Sequence, residues 1–333
     1  VGNIGDLVVS IPCIIFLKQK FPKAKMVLLS SPGNRGSVGA KKVFQNLKIF
    51  DEVHEYYQDD NESLFRFISN RTSFKDIDLV VDLPSQFETL NSSLKRIFFH
   101  KYLNPKYAFG WEISTSKRFR KIQNKLRKFP YEKERLLGII KRNTAQIKIN
   151  KDHELINLRL SDWKFSKMLP KNYIVIAPGS KRPTNQWGED NLFELLSHIH
   201  QREINCVLIG GDDVKPLSER ILKIYPKVFD LCGSLEISES MQVIQSSKLS
   251  ICLDSGVQHI SNLVNVPTIS IFSSRDFSGK WFPSNPNDVI LRSDIECDVC
   301  LLETCPYQNK CINMITPGEV IEVLDSKLNF GEL

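Results

Sequence analysis

The chain has 333 residues, with 41% apolar side chains, 25% charged ones and a formal charge of +7. That length exceeds a single hydrophobic core and predicts two domains, while the composition excludes a wholly disordered or fibrous chain. The longest apolar runs, residues 11–17 and 249–253, fall short of the ~20 residues that cross a bilayer, so no membrane span is expected.

Taken in order, the chain opens on the Gly-rich turn Val1-Gly2-Asn3-Ile4-Gly5-Asp6 ahead of the apolar run 7–17. A helix is expected there, with a first strand preceding Val1. Strands are predicted at residues 26–29, 79–82, 173–177, 206–209, 249–253 and 268–272, separated by helical runs. That alternation predicts an α/β fold with parallel sheets, in which ligands bind beyond the carboxyl ends of the strands. Residues 95–150 read as helix-prone and basic. A polar stretch at 161–171 marks the expected boundary, dividing a first domain, 1–165, from a second, 166–333, which carries a Cys-rich segment at 297–311.

Charge is unevenly spread. Residues 1–150 hold 27 Lys and Arg against 14 Asp and Glu, or +13, and the remainder stands at −6. Residues 95–128 hold 11 basic side chains against one acid, Glu112, with Phe98, Phe99, Tyr102, Tyr107, Phe109, Trp111 and Phe119 interleaved. Clustered cations with aromatic side chains suit a phosphorylated acceptor or an anionic lipid surface. Nucleic acid would use the same electrostatics but is not the expected partner, and a solvated helical face is the plain alternative.

Four motifs have residues suited to chemistry. Gly5-Asp6 opens a helix, so Asp6 either caps it or faces a ligand, and the spacing is not that of a dinucleotide fingerprint. Ser180-Lys181-Arg182, with Asn185 and Trp187 close behind, follows a strand and offers a hydroxyl and two cations to a pyrophosphate, or is a loop anchored by Trp187. Asp254-Ser255-Gly256-x2-His259 follows another strand and starts a helix whose first amides would face a phosphate. Its plain alternative is an Asp254 cap and a packed His259. Cys297, Cys300, Cys305 and Cys311 suit a structural zinc or iron–sulfur loop, free thiols or disulfides. The other four cysteines are isolated in apolar runs, which argues against a secreted disulfide framework.

In order and context these motifs resemble the heptosyltransferases, glycosyltransferase family nine, across essentially the whole chain. The amino-terminal signature resembles Ile4-Gly5-Asp6 with Pro12 and Phe21-Pro22-x-Ala24. The carboxyl-terminal one resembles Asp254-Ser255-Gly256-x2-His259 with Val266-Pro267, and Cys-rich tails like that before Ile315-Thr316-Pro317 are common in the family. The resemblance implies a GT-B fold of two Rossmann-like domains facing each other across a cleft. It implies inverting, metal-independent transfer from ADP-heptose to a lipopolysaccharide inner-core acceptor, with no catalytic cofactor, in the cytoplasm at the inner face of the membrane. Asp6 would be the general base; Ser180, Lys181, Asp254, Ser255, Gly256 and His259 would hold the donor, with Gly5, Arg182, Asn185 and Asp213 as further candidates. Two positions before the tryptophan many members have lysine, where this chain has Asn185. The missing charge is expected from Lys181 or Arg182, or the donor or acceptor differs. A sugar-nucleotide epimerase of related fold and a nucleotide- or nucleic-acid-binding adaptor are the alternative functions.

Overall fold

The structure is a computed structural model that describes residues 4–33, 39–44, 49–60, 62–83, 90–110, 129–145 and 168–329. The chain divides into two compact units, Val1–Leu126 with Glu132–Arg159, and Arg127–Tyr131 with Leu160–Leu333. The expected boundary at residue 165 lies outside the described residues, as do positions 111–128 of the basic segment.

The first unit begins with helix α1 (Ile4–Lys20), which buries Leu7, Val8, Ile11, Ile14 and Leu17 along one face. It packs against α2 (Ala40–Phe44) and α5 (Glu132–Thr144), and α5 closes a buried Glu132–Arg135 ion pair of 2.6 Å. Strands β1 (Val27–Gly33) and β2 (Glu52–Tyr57) pair in parallel, as do β3 (Leu79–Val81) and β4 (Tyr107–Phe109). Helices α3 (Leu64–Ser69) and α4 (Leu90–Leu103) connect them. The helical reading of residues 95–150 therefore holds for α4 and α5 and is corrected at β4.

The second unit is built on one six-stranded parallel sheet of β5 (Tyr173–Ala177), β6 (Asn205–Leu208), β7 (Phe229–Asp230), β8 (Ser250–Leu253), β9 (Thr268–Phe272) and β10 (Val289–Arg292). Strands β5, β8 and β9 are wholly buried, as expected of unbroken apolar and β-branched runs covered on both faces. Helix α6 (Glu189–Gln201) presents Leu192, Leu195, Leu196 and Ile199 to the core at the i, i+3, i+4, i+7 spacing. Helices α7 (Lys215–Ile224) and α8 (Ile237–Gln245) follow β6 and β7, and Glu236 and Glu239 form a capping box on α8. Helix α9 (Gly256–Leu263) links β8 to β9. Short α10 (Lys310–Asn313) and α11 (Pro317–Asn329) close the chain, α11 lying on α6 with His198 Nε2 3.0 Å from Asp325 Oδ1. Phe129 belongs to this unit, since its amide donates to the Ser278 carbonyl at 2.7 Å and its ring lies 4.5 Å from that of Phe277.

The sheet order is β10-β9-β8-β5-β6-β7. Counted along this unit the strands run 3-2-1-4-5-6, so direction reverses between β5 and β8. No described helix is long and apolar enough to cross a membrane.

Candidate functional site

Where the strand order reverses, consecutive connections leave on opposite sides of the sheet and open a crevice at the carboxyl ends of the strands. In this unit that point lies between β5 and β8. Three loops meet there, after β5, β8 and β9. Ser180 is buried, and its Oγ donates to the Asp254 carbonyl at 2.8 Å. Asn185, only 2% exposed, donates from Nδ2 to Asp254 Oδ2 at 2.9 Å and accepts at Oδ1 from Ser273 Oγ at 2.6 Å. One amide thus spends a donor on one loop and an acceptor on another.

Asp254 is not the helix cap. Ser255 holds that place at the start of α9, and the Asp254 carboxylate is turned to Asn185. Burial, reinforced by the nearby Asp276 carboxylate, pushes Asp254 up to about 6 against the opposing effects of Arg182, Asn185 and Arg275. Burial pushes His259 down to about 4, so its ring is neutral at pH 7 and meets Trp281 edge-on, with centroids 5.8 Å apart. Trp281 Nε1 in turn donates to Asp276 Oδ2 at 2.9 Å, and Lys280 Nζ lies 3.6 Å from the same oxygen. Ser255 Oγ and both polar atoms of the Gln258 side chain are buried without a hydrogen-bond partner among the described residues. The amino-terminal end of α9, with its first amides and positive dipole, stands in the same loop as these groups.

Cations line the rim. Lys181 is exposed, and the Arg182 guanidinium bonds Glu303. Arg275, which follows β9 and is largely buried, reaches the same Glu303 oxygen at 2.8 Å and donates through Nε to the Leu302 carbonyl at 2.6 Å. At the neighbouring β6 end, Gly179 and Gly210 make room for Val214. A Cβ on them would stand 2.4 and 2.7 Å from its Cγ2. Asp213 is exposed in the turn beside Val214. Gly5 and Asp6 lie in the first turn of α1, in the first unit, where the acidic Asp6 suits the helix dipole.

Cys297, Cys300, Cys305 and Cys311 are free and half-buried. Burial, with Cys311, Cys300 and Cys305 nearby, raises the Cys297 thiol, while Cys311 Sγ accepts from the Ser274 amide at 3.4 Å. Among the described residues no group of three or more His, Cys, Asp or Glu side chains is placed to hold a metal ion.

A parallel sheet in this order, with polar loops and a helix start at its reversal point, defines a Rossmann-type unit. Residues 105–311 match glycosyltransferase family 9 (heptosyltransferase), and the chain belongs to that family of enzymes. It is 26% identical over 338 residues to lipooligosaccharide heptosyltransferase 2 of Campylobacter jejuni subsp. jejuni serotype O:2, covering 99% of this chain and 97% of the relative. Lipopolysaccharide heptosyltransferase 1 of Pseudomonas aeruginosa is 26% identical over 138 residues, 41% of this chain and 38% of its own length. Among solved structures, the Escherichia coli ADP-heptose lipopolysaccharide heptosyltransferase II matches with a TM-score of 0.67 at 17% identity, over 100% of this chain and 98% of that one. The E. coli heptosyltransferase WaaC with ADP matches with a TM-score of 0.68 at 14% identity, over 98% and 97%. The fold is therefore α/β of the GT-B type.

Ser180, Asn185 and Asp254 are loop residues to which the sequence motifs point; Ser273, Arg275, Asp276 and Glu303 lie outside those motifs. The first three of these follow an expected strand, so reading the loop beyond its carboxyl end would have found them. Glu303 meets Arg182 across 121 positions, which no local pattern reports.

Proposed function

We propose that this chain transfers a heptose from ADP-heptose to a lipopolysaccharide inner-core acceptor, with inversion at the anomeric carbon and without a metal ion. The observation that carries the reading is the crevice at the reversal point of the second unit. There the α9 amino terminus, Ser180, Arg182 and Arg275 come together through Asp254 and Glu303 in a place suited to a diphosphate, with Lys181 next in the chain to Ser180. The near full-length likeness to a lipooligosaccharide heptosyltransferase supports the choice of sugar and acceptor.

In this reading the donor's diphosphate lies on the α9 end and the rim cations. The developing charge on departing ADP is balanced by fixed dipoles and guanidinium groups, which removes the need for a divalent cation. Ser255, Gly256 and neutral His259 line the donor pocket. Asp254, held by Asn185, shapes it, and Asp213 at the β6 end is the candidate ribose partner. Asp6 in the first unit takes the proton from the acceptor hydroxyl as it attacks opposite the leaving group, and Gly5 lets the acceptor approach the backbone. The four cysteines have no catalytic part.

The enzyme works in the cytoplasm, at the inner face of the membrane. Helix α4 supports this placement: Leu94, Ile97, Phe98 and Tyr102 share one face and are exposed, Phe98 to 67%, with Lys95 and Lys101 exposed beside them. Such a face suits an anionic lipid surface and a phosphorylated acceptor.

The test is incubation with ADP-heptose and a deacylated core acceptor in the presence of a chelator. The expected result is an acceptor heavier by one heptose and an equal amount of ADP, with no donor turnover when acceptor is withheld. Conversion of the donor alone would favour an epimerase, and salt-sensitive RNA binding without turnover an adaptor.

A further inference from the structure

The Cys-rich segment has no part in the chemistry above, yet it lies across the site. Val299 donates to the Ser274 carbonyl at 2.7 Å and Leu301 to the Arg275 carbonyl at 3.0 Å. Both hold left-handed backbone, φ +57° each, which neither a β-branched nor a γ-branched side chain favours. Asn309 Nδ2 donates to the carbonyls of Pro183 at 2.7 Å and Gln186 at 3.2 Å, and Asn313 Oδ1 accepts from the Gly188 amide at 2.8 Å. The segment is thereby fastened at one end to the loop after β9 and at the other to the loop after β5. At its middle Glu303, 68% exposed at its side chain, places one carboxylate oxygen on both Arg182 and Arg275.

A carboxylate held by two guanidinium groups has the recognition chemistry of a phosphate oxygen in the same place. Arg275 is kept in position independently of Glu303, by its bonds to the Leu301 and Leu302 carbonyls. Glu303 is the most exposed member of the trio, at 68% of its side chain against 42% for Arg182 and 10% for Arg275. We propose that Glu303 is a displaceable internal anion that competes with a nucleotide diphosphate for Arg182 and Arg275, the Cys-rich strap serving to present it. This deepens the donor-site reading above and rests on it. It also gives a reason for the tolerance of Asn185, since Arg182 in the same loop and Arg275 after β9 supply the positive charge.

The test is calorimetric titration of the full chain with inorganic pyrophosphate and with ADP, using Glu303→Gln, Arg182→Gln and the double variant, each checked by thermal unfolding. Glu303→Gln keeps the shape of the side chain and removes its charge. It should bind both probes about two- to fivefold more tightly, the range set by an exposed ion pair. Arg182→Gln should weaken binding, and in that background Glu303→Gln should give a smaller gain. Unchanged or weaker pyrophosphate binding by a Glu303→Gln protein that unfolds at the wild-type temperature would overturn the proposal. If that variant loses stability, an Arg182→Gln protein that binds pyrophosphate as the wild type does would overturn it equally. Tighter pyrophosphate binding without any ADP binding would uphold the strap and reject the ADP-heptose donor. ADP binding indifferent to Glu303 would keep the donor and reject the strap.

Discussion

Asp254 and His259 sit five residues apart and are displaced in opposite directions, which makes their contributions to stability oppose each other across the same pH window. Asp254 is raised to about 6 from an ordinary carboxylate value of about 3.9. The folded protein therefore holds its proton more tightly than the unfolded chain, and stability is fully present below pH ~4 and lost as pH rises through ~6. His259 is lowered to about 4 from about 6.5. Its contribution is present above pH ~6.5 and lost as pH falls towards ~4. Each displacement corresponds to roughly 3 kcal/mol, so the two nearly cancel in the wild type. Single substitutions unmask them. Asp254→Asn should make stability rise by about 3 kcal/mol from pH 4 to 6.5 relative to the wild type, and His259→Gln should make it fall by a similar amount. The assay is urea unfolding of the three proteins at half-unit pH intervals, read as differences from the wild type. Parallel curves for all three proteins would refute the assigned burial of both groups.

Close packing at the β6 end predicts that Gly210→Ala, whose Cβ would stand 2.7 Å from Val214, costs ~1–3 kcal/mol in thermal unfolding. Gly138→Ala, inside α5 with its nearest neighbour 3.5 Å away, should stabilise by ~0.5–1 kcal/mol in the same assay. Asn185→Leu removes the donor to Asp254 and the acceptor of Ser273; it should cost ~1–3 kcal/mol and weaken ADP binding by calorimetry. Asp6→Asn should lower turnover ~10²- to 10⁴-fold while leaving ADP affinity as it is, because an amide does not take the proton. Phe98→Glu on the exposed face of α4 should reduce co-sedimentation with phosphatidylglycerol vesicles, and unchanged sedimentation would remove that face from the membrane contact.

How far the fold is legible depends on how each strand is buried. Strands β5, β8 and β9 lie inside the sheet, and their runs Tyr173–Ala177, Ser250–Leu253 and Thr268–Phe272 stand out as apolar blocks. The strand β2 is masked by Glu52, His54 and Glu55, β7 has only two residues, and β10 is a half-buried edge. The site was legible where a strand ended in a recognisable loop, as at Ser180 and Asp254. Asn185 read as a departure from its family, yet its amide joins Asp254 to Ser273. The contact of Glu303 with Arg182 and Arg275 depends on the fold bringing together the ends of β5, β9 and the Cys-rich segment, and no spacing in the sequence encodes it.

The measurement closest to the central claim is calorimetric titration of the full-length protein with ADP, UDP, GDP and dTDP under identical salt. Selective binding of ADP, with one site per chain and affinity lowered by Arg182→Gln, is the expected result. Preference for another nucleotide would keep the fold and replace the donor, and an absence of binding by all four would contradict the assignment of the β5–β8 crevice as a nucleotide site.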